Sequence, residues 1–113
     1  MKKLASMMVL LGLGVLPALG ASTSYHNVPL LDVGCSKKAA ANPDAHTRDC
    51  ALSCAKSGFG IMTSDQHFLK FDAEGNAKIL DELKASSKKD HLRVNVSGDV
   101  QGDTLKVSSV SLL

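Results

Sequence analysis

Strict alternation of apolar and polar residues marks the C-terminal part of the chain. HLRVNVSGDV (91–100) and TLKVSSVSL (104–112) each place an apolar residue at every second position over most of their length. A period of two predicts half-buried β-strands, and QGD between them predicts the turn of a hairpin. The alternation changes phase at Ser108-Ser109, which predicts a bulge or a strand end there.

Shorter apolar runs predict three more strands upstream. VPLLDVG (28–34) has the length of a strand, with Pro29 near its start, where the missing N–H costs least. FGIMT (59–63) and HFLKFD (67–72) flank the polar tripeptide SDQ and predict a second hairpin.

Two helices are predicted from start and stop signals. Asn42-Pro43 is a helix-start pair, and Gly58 supplies a C-terminal stop, so a helix is expected over Pro43–Ser57. GNAKILDELKASS (75–87) carries an apolar stripe at helical spacing, with Asn76 as its expected cap.

The resulting order is strand, helix, strand, strand, helix, strand, strand. It predicts a mainly β domain with two helices, a five-stranded OB-fold-like Greek-key barrel whose first helix is inserted between strands 1 and 2. A closed barrel also explains how so small a sheet avoids exposed edges. The alternative is an open α+β sheet with both helices on one face.

The N-terminal residues predict export. Lys2 and Lys3 precede an apolar run broken by Pro17, and Ala18 to Gly20 offer small residues at a cleavage site. We therefore expect a signal peptide over 1–20, a flexible lead-in over 21–27 and the folded domain over 28–113. The alternative is a membrane anchor, but the apolar run is shorter than the roughly 20 residues that a membrane-spanning helix needs. A bacterial protein that is periplasmic or secreted, with no membrane contact after cleavage, is expected.

Charge argues against a nucleic-acid partner. The chain has 13 Lys and Arg against 11 Asp and Glu, and removal of Lys2 and Lys3 with the signal leaves the two signs equal. A neutral surface lacks the basic footprint of a nucleic-acid binder. Aromatic residues that could stack on bases are few: Tyr25, Phe59, Phe68 and Phe71, with no Trp.

The stretch DAHTRDCALSC holds the candidate chemistry. His46, Cys50 and Cys54 follow one another at intervals of four, and Cys35, upstream of them, is the one other cysteine of the chain. On an unbroken helix His46 and Cys54 would be about 12 Å apart along the axis, so one ion could not easily reach both. Cys35 with Cys50, and with either Cys54 or His46, is the more economical ligand set. Thiolate ligands favour zinc or copper(I).

A disulfide is the competing interpretation of the same cysteines. Exported proteins meet an oxidising compartment, where cysteines usually pair. A bridge from Cys35 to Cys50 or Cys54 would tie the first strand to the helix and stabilise the domain by about 2–4 kcal/mol. One thiol would remain free.

Other residues carry weaker signals. Asp32, three residues before Cys35, is a candidate carboxylate that orients a histidine ligand by a hydrogen bond without binding the ion itself. His26, His67 and His91 are scattered and are expected at the surface. No Ser–His–Asp set, catalytic carboxylate pair or Gly-rich phosphate loop is present, so the sequence predicts no enzyme.

Four stretches together carry a resemblance: DVGC, HTRDCALSC, SGFGIMT and LRVNVSGDVQGDTLKVSSV. They resemble a group of small exported bacterial OB-fold-like proteins of unknown function, which share an Asp-x-x-Cys and a His-x-x-x-Cys-x-x-x-Cys pattern. The matching positions here are Asp32, Cys35, His46, Cys50, Cys54 and Gly58. Those proteins also have a DG turn, whereas this chain has Ser64-Asp65-Gln66. The resemblance implies a fold and no established activity.

The sequence thus predicts a small exported binding module that holds zinc or copper through a Cys/His cluster. The predicted ligands are Cys35, His46, Cys50 and Cys54. Asp32 is predicted to orient a ligand without binding the ion. The alternative is a disulfide-stapled, non-catalytic interaction domain that binds an envelope protein and no metal. The sequence indicates no oligomeric state.

Overall fold

Five strands close into one barrel in the computed structural model, which describes residues 22–113. The predicted signal peptide lies outside the described residues. The strands are β1 (Thr23–Asp32), β2 (Phe59–Met62), β3 (Phe68–Phe71), β4 (Arg93–Gln101) and β5 (Thr104–Leu112). Their order around the barrel is β1-β2-β3-β5-β4, and β4 pairs with β1 to close it. The β3–β5 pair is parallel and the other pairs are antiparallel. This closed mixed barrel is consistent with the predicted barrel, and the open sheet is wrong.

Three short helices accompany the strands: α1 (Ser36–Ala39), α2 (Arg48–Ser53) and α3 (Ala73–Ala85). The single helix predicted over Pro43–Ser57 is wrong, because the chain is extended at His46 and Thr47. The Thr47 side chain accepts a hydrogen bond from the backbone N–H of Cys50 and caps a new helix. A threonine hydroxyl that caps in this way competes with continuation of the helix before it.

The second predicted helix is confirmed as α3, with a different cap. Asp72 accepts a hydrogen bond from the N–H of Gly75, so the helix begins at Ala73 and not near Asn76. The Asn76 side chain instead accepts from the N–H of Phe59 at 2.8 Å. This bond ties α3 to the first residue of β2.

The core is apolar and lies inside the barrel, with Ile79 and Leu83 of α3 completing it. Every strand contributes buried side chains to it, including Leu30, Ile61, Leu69, Val94, Val96 and Leu105. The alternation seen in the sequence of β4 and β5 matches their alternating burial. A strand whose alternate residues face the core specifies its register strongly.

Strand ends and irregularities are set by close contacts. β4 and β5 pair Ser97 with Ser109 and Gly98 with Val107, so Ser108 is the extra residue of the predicted bulge. A Cβ on Gly98 would lie 2.3 Å from the Lys106 carbonyl oxygen, so only glycine fits there. β1 begins at Thr23, earlier than the strand predicted from Val28, because its first residues pair with β4.

Residues 33–58 form a long connection between β1 and β2, named here the β1–β2 insert. Its two ends are held together where the Val33 N–H donates to the Gly58 carbonyl at 2.8 Å. Arg48 ties the insert to the end of α3 through bonds to the carbonyls of Leu83 (2.7 Å) and Lys84 (3.1 Å). Two further bonds, at 2.9 and 3.0 Å, join Arg93 of β4 to the Asp44 carboxylate. The insert is therefore anchored at its base and at two points along its length.

Candidate metal centre

A buried carboxylate stands at the base of the β1–β2 insert. Asp32 is the last residue of β1, has no exposed surface, and is the one polar side chain in the fully buried class among residues 22–113. Its Oδ2 accepts a hydrogen bond from the Cys35 N–H at 2.9 Å and so caps the turn Val33–Cys35. A buried carboxylate needs such partners, because burial without them is costly.

The other carboxylate oxygen of Asp32 meets a histidine from the far side of the insert. Oδ1 lies 2.5 Å from Nε2 of His46, and only 7% of the His46 side chain is exposed. His46 lies between the turn Pro43–Ala45 and α2. Its backbone is extended, so His46 belongs to neither helical segment. A contact of this kind is the one through which a carboxylate orients a histidine, which is the role that the sequence predicts for Asp32.

Asp32, Cys35 and His46 come together as one cluster. One ligand atom from each lies within 4.8 Å of the other two, so the three residues could hold a metal ion. The donors are a carboxylate, a thiol and an imidazole, and all three types are found at zinc sites in proteins.

Cys54 reaches this cluster through Cys35. Its Sγ lies 3.9 Å from the Cys35 Sγ, at the C-terminal end of α2. Two thiolates on one tetrahedral zinc, each about 2.3 Å from the ion, would be separated by about 3.8 Å. The distance between these two sulfurs therefore already suits a shared ion.

Cys50 is the predicted ligand that stands apart. It is exposed on α2 and lies at the rim of a shallow pocket of about 340 Å³, whose lining includes Cys35 and His46. Of the two cysteines in and next to α2, it is Cys54 whose sulfur contacts that of Cys35. All three cysteines, each within the described part of the chain, are free thiols.

The Cys35 thiol holds its proton firmly. The hydrogen bond with Cys54, partial burial and the nearby Asp32 charge together raise the pKa of Cys35 from 9.0 to about 11. A thiolate beside a carboxylate is electrostatically unfavourable, so the neutral thiol is preferred. A cation in the cluster would reverse this preference, because it stabilises the thiolate.

The remaining histidines are surface residues in this structure. His67 contacts Asp103 and His91 contacts Asp90, with 52% and 66% of the two histidine side chains exposed. His26 is exposed on β1. These placements agree with the expectation that the three histidines lie at the surface.

Asp32 is the residue of the cluster that the sequence predicts outside the ligand set, as a carboxylate that orients a ligand. One of its oxygens lies within 4.8 Å of the Cys35 and His46 donor atoms, near enough to bind the same ion. The available signal was a charged residue directly after the apolar run Val28–Leu31 of a predicted strand. A carboxylate at such a place is buried by the strand that carries it.

Comparisons with known proteins add no relative: no family model, curated sequence or solved structure matches the chain. Within residues 22–113, none of the helices combines the length and the apolar character needed to cross a membrane.

Proposed function

We propose that this protein is a small exported module that binds a transition-metal ion through Asp32, Cys35 and His46. The observation that carries the proposal is the meeting of three different donor side chains at the point where β1 ends and the insert begins. The barrel is proposed to be of the OB-fold class, supported by the strand order and by the position of α3 between β3 and β4. Export is supported by the basic and apolar residues of the N-terminal sequence.

The donor set favours zinc over copper(I). Copper(I) prefers soft sulfur ligands, whereas zinc accepts sulfur, nitrogen and carboxylate oxygen together. With Cys50 outside the cluster, at most two sulfurs, those of Cys35 and Cys54, are near the point where an ion would lie. We therefore propose Zn²⁺, with Cys54 as the fourth ligand after a small rotation of its side chain.

Asp32 can either bind the zinc ion itself or orient the His46 imidazole, and the two roles require different distances. Two zinc ligands of N and O type, each about 2.0–2.1 Å from the ion, are separated by about 3.3 Å. The Asp32–His46 contact of 2.5 Å would therefore open if both atoms bound the ion, and would persist if Asp32 only oriented the imidazole. The substitution Asp32→Asn separates the roles, because an amide can still hydrogen-bond but is a poor zinc ligand.

The test is a titration of the reduced, full-length chain with Co²⁺, a coloured substitute for Zn²⁺, followed by displacement with Zn²⁺. We expect one ion per chain and a sulfur-to-cobalt charge-transfer band. Cys35→Ser should remove that band. His46→Ala should weaken binding at least tenfold, because it removes one of three or four ligands.

Matched controls lie on the same molecule. Cys50→Ser changes an exposed cysteine of the insert, and His91→Ala changes an exposed histidine that also contacts an aspartate. Both should bind Co²⁺ as the unmodified chain does. Equal loss in Cys50→Ser and Cys35→Ser would contradict the proposed ligand set. Absence of binding by the reduced chain would leave the metal-free envelope interaction domain as the better proposal.

A further inference from the structure

We infer that Cys35 and Cys54 form a reversible disulfide, and that this bond and the metal ion exclude one another. The pairing is read from the positions of the two sulfurs. The exclusion rests on the proposed function, because Cys35 would be a ligand of the ion.

The two cysteines face each other across the base of the insert. Cys35 ends the turn that follows β1, and Cys54 is the C-cap of α2, five residues before β2 begins. The Val33–Gly58 hydrogen bond and the pairing of Asp32 with Phe59 hold these two ends side by side. The framework on both sides of the sulfur pair is therefore already fixed.

Little movement separates the thiols from a bond. The sulfurs are 3.9 Å apart, and a disulfide requires about 2.05 Å. Rotation of the two side chains can supply a change of this size without moving the strands. Both residues are partly exposed, so a small oxidant can reach them.

Cys50 is a poor alternative partner for either residue. It is exposed and lies one helical turn before Cys54, whose N–H donates to its carbonyl at 3.1 Å. A bridge between residues four apart in one helix would strain the disulfide geometry. The one close approach of sulfurs among the described residues is that of Cys35 and Cys54.

The reaction balances with a low-molecular-weight disulfide as the oxidant. One protein thiolate attacks a sulfur of the oxidant and releases one small thiolate, which leaves a mixed disulfide on the protein. The second protein thiolate then attacks that bond and releases the second small thiolate. The two cysteines together lose two protons and two electrons, and the oxidant becomes two thiols.

Metal binding and the disulfide then compete for the same sulfur. A thiolate that binds zinc donates a lone pair to the ion, whereas both sulfurs of a disulfide have lost the charge that makes them good ligands. Oxidation should thus remove Cys35 from the cluster and leave His46 and Asp32 alone. A bound ion should in turn protect both cysteines from oxidation.

The experiment uses the full chain, glutathione disulfide as the oxidant and Co²⁺ as the metal. We expect oxidation to lower the mass by about 2 Da, with alkylation then confined to Cys50. Peptide mapping should find Cys35 joined to Cys54. The cobalt charge-transfer band should disappear at the rate at which the bridge forms, and dithiothreitol should restore it. Prior loading with Zn²⁺ should slow oxidation at least tenfold.

Two variants separate the possible failures. Cys50→Ser should behave as the unmodified chain throughout, whereas Cys54→Ser should form no bridge within the chain. A bridge that includes Cys50, or a Cys35–Cys54 bridge that leaves the ion bound, would overturn the inference while the proposed function stands. Bridge formation in a chain that never binds Co²⁺ when reduced would overturn the proposed function and the exclusion with it.

Discussion

The barrel and the β1–β2 insert are stabilised by different means. The barrel has an apolar core with buried side chains from every strand and from α3. Within residues 33–57 of the insert, Ala51 is the one apolar side chain that is fully buried. The insert is held instead by the hydrogen bonds that Arg48 donates to the end of α3 and by those that the Asp44 carboxylate accepts from Arg93. Within it, the Thr47 hydroxyl accepts a bond from the Cys50 N–H.

Because of this difference, the barrel core supplies most of the stability, and the insert supplies most of the polar side chains of the candidate metal site. Burial of apolar surface is the main stabilising contribution in a domain of this size, and it needs no particular polar contact. A site that binds an ion needs polar side chains in fixed positions, which an apolar core cannot supply. The cluster lies where the two regions meet. β1 fixes the position of Asp32, and the insert brings His46, Cys35 and Cys54 towards it.

The largest expected effect comes from a cavity in the barrel. Leu105→Ala removes a side chain with no exposed surface and should lower the free energy of unfolding by about 3 kcal/mol. Val100→Ala, at the residue that pairs with Leu105 but is 39% exposed, is the matched control and should cost less than about 0.5 kcal/mol. Urea unfolding of both variants measures the difference. Equal effects would contradict the description of the core.

Loss of the buried carboxylate should have the next largest effect. Asp32→Ala leaves the Cys35 N–H and the His46 imidazole without their partner and should cost about 2 kcal/mol. Asp90→Ala removes the carboxylate of an exposed pair with His91 and should be nearly neutral. Urea midpoints at neutral pH compare the two. A neutral Asp32→Ala would mean that the cluster is not stabilised by its carboxylate.

The thiols should differ in their rates of alkylation. A pKa of Cys35 near 11 lowers its thiolate fraction about a hundredfold relative to a thiol of pKa 9.0, and the greater nucleophilicity of the more basic thiolate recovers part of that. We expect Cys35 to react about tenfold more slowly than exposed Cys50 at neutral pH. Mass spectrometry of peptides after timed iodoacetamide treatment measures both rates. Faster reaction at Cys35 would contradict its hydrogen bonding with Cys54.

The ion pair that anchors the insert should have the smallest effect. Asp44→Asn weakens the contact with Arg93 and should cost about 1 kcal/mol, whereas Asp49→Asn, at a side chain that is 93% exposed, should cost nothing measurable. The hydrogen bond from Arg93 lowers the pKa of Asp44 below its ordinary value of 3.8.

The sign of the pH dependence follows from that shift. The folded chain binds the Asp44 proton less tightly than the unfolded chain, so the stabilisation is fully present above pH 3.8 and is lost as the pH falls through the lowered pKa. Acid unfolding of Asp44→Asn should therefore lack this part of the pH dependence. An unchanged acid profile would show that the pair does not hold the insert.

Much of the barrel could be predicted from the sequence because its strands alternate. The pattern of β4 and β5 specified their faces, their turn and the bulge at Ser108, and the hairpin of β2 and β3 followed from two apolar runs around a polar turn. The insert could not be predicted in the same way. Its two α-helices are short, and α2 begins directly after Thr47, whose hydroxyl accepts a hydrogen bond from the Cys50 N–H, a contact that the hydrophobic pattern does not show.

The sequence by itself determined which residue types are available for chemistry: three cysteines, His46 and the acidic residue that ends the first strand. It also determined the two C-terminal strands, since alternation is a local property. Only the tertiary structure decided that Asp32 and Cys54 approach Cys35 while Cys50 remains exposed. The reason is that ligand geometry depends on where a helix begins and how it faces the barrel. Cys50 and Cys54 differ on a helix by only about 40° and by about 6 Å along the axis, so a shift of α2 by one turn would bring the other cysteine to Cys35.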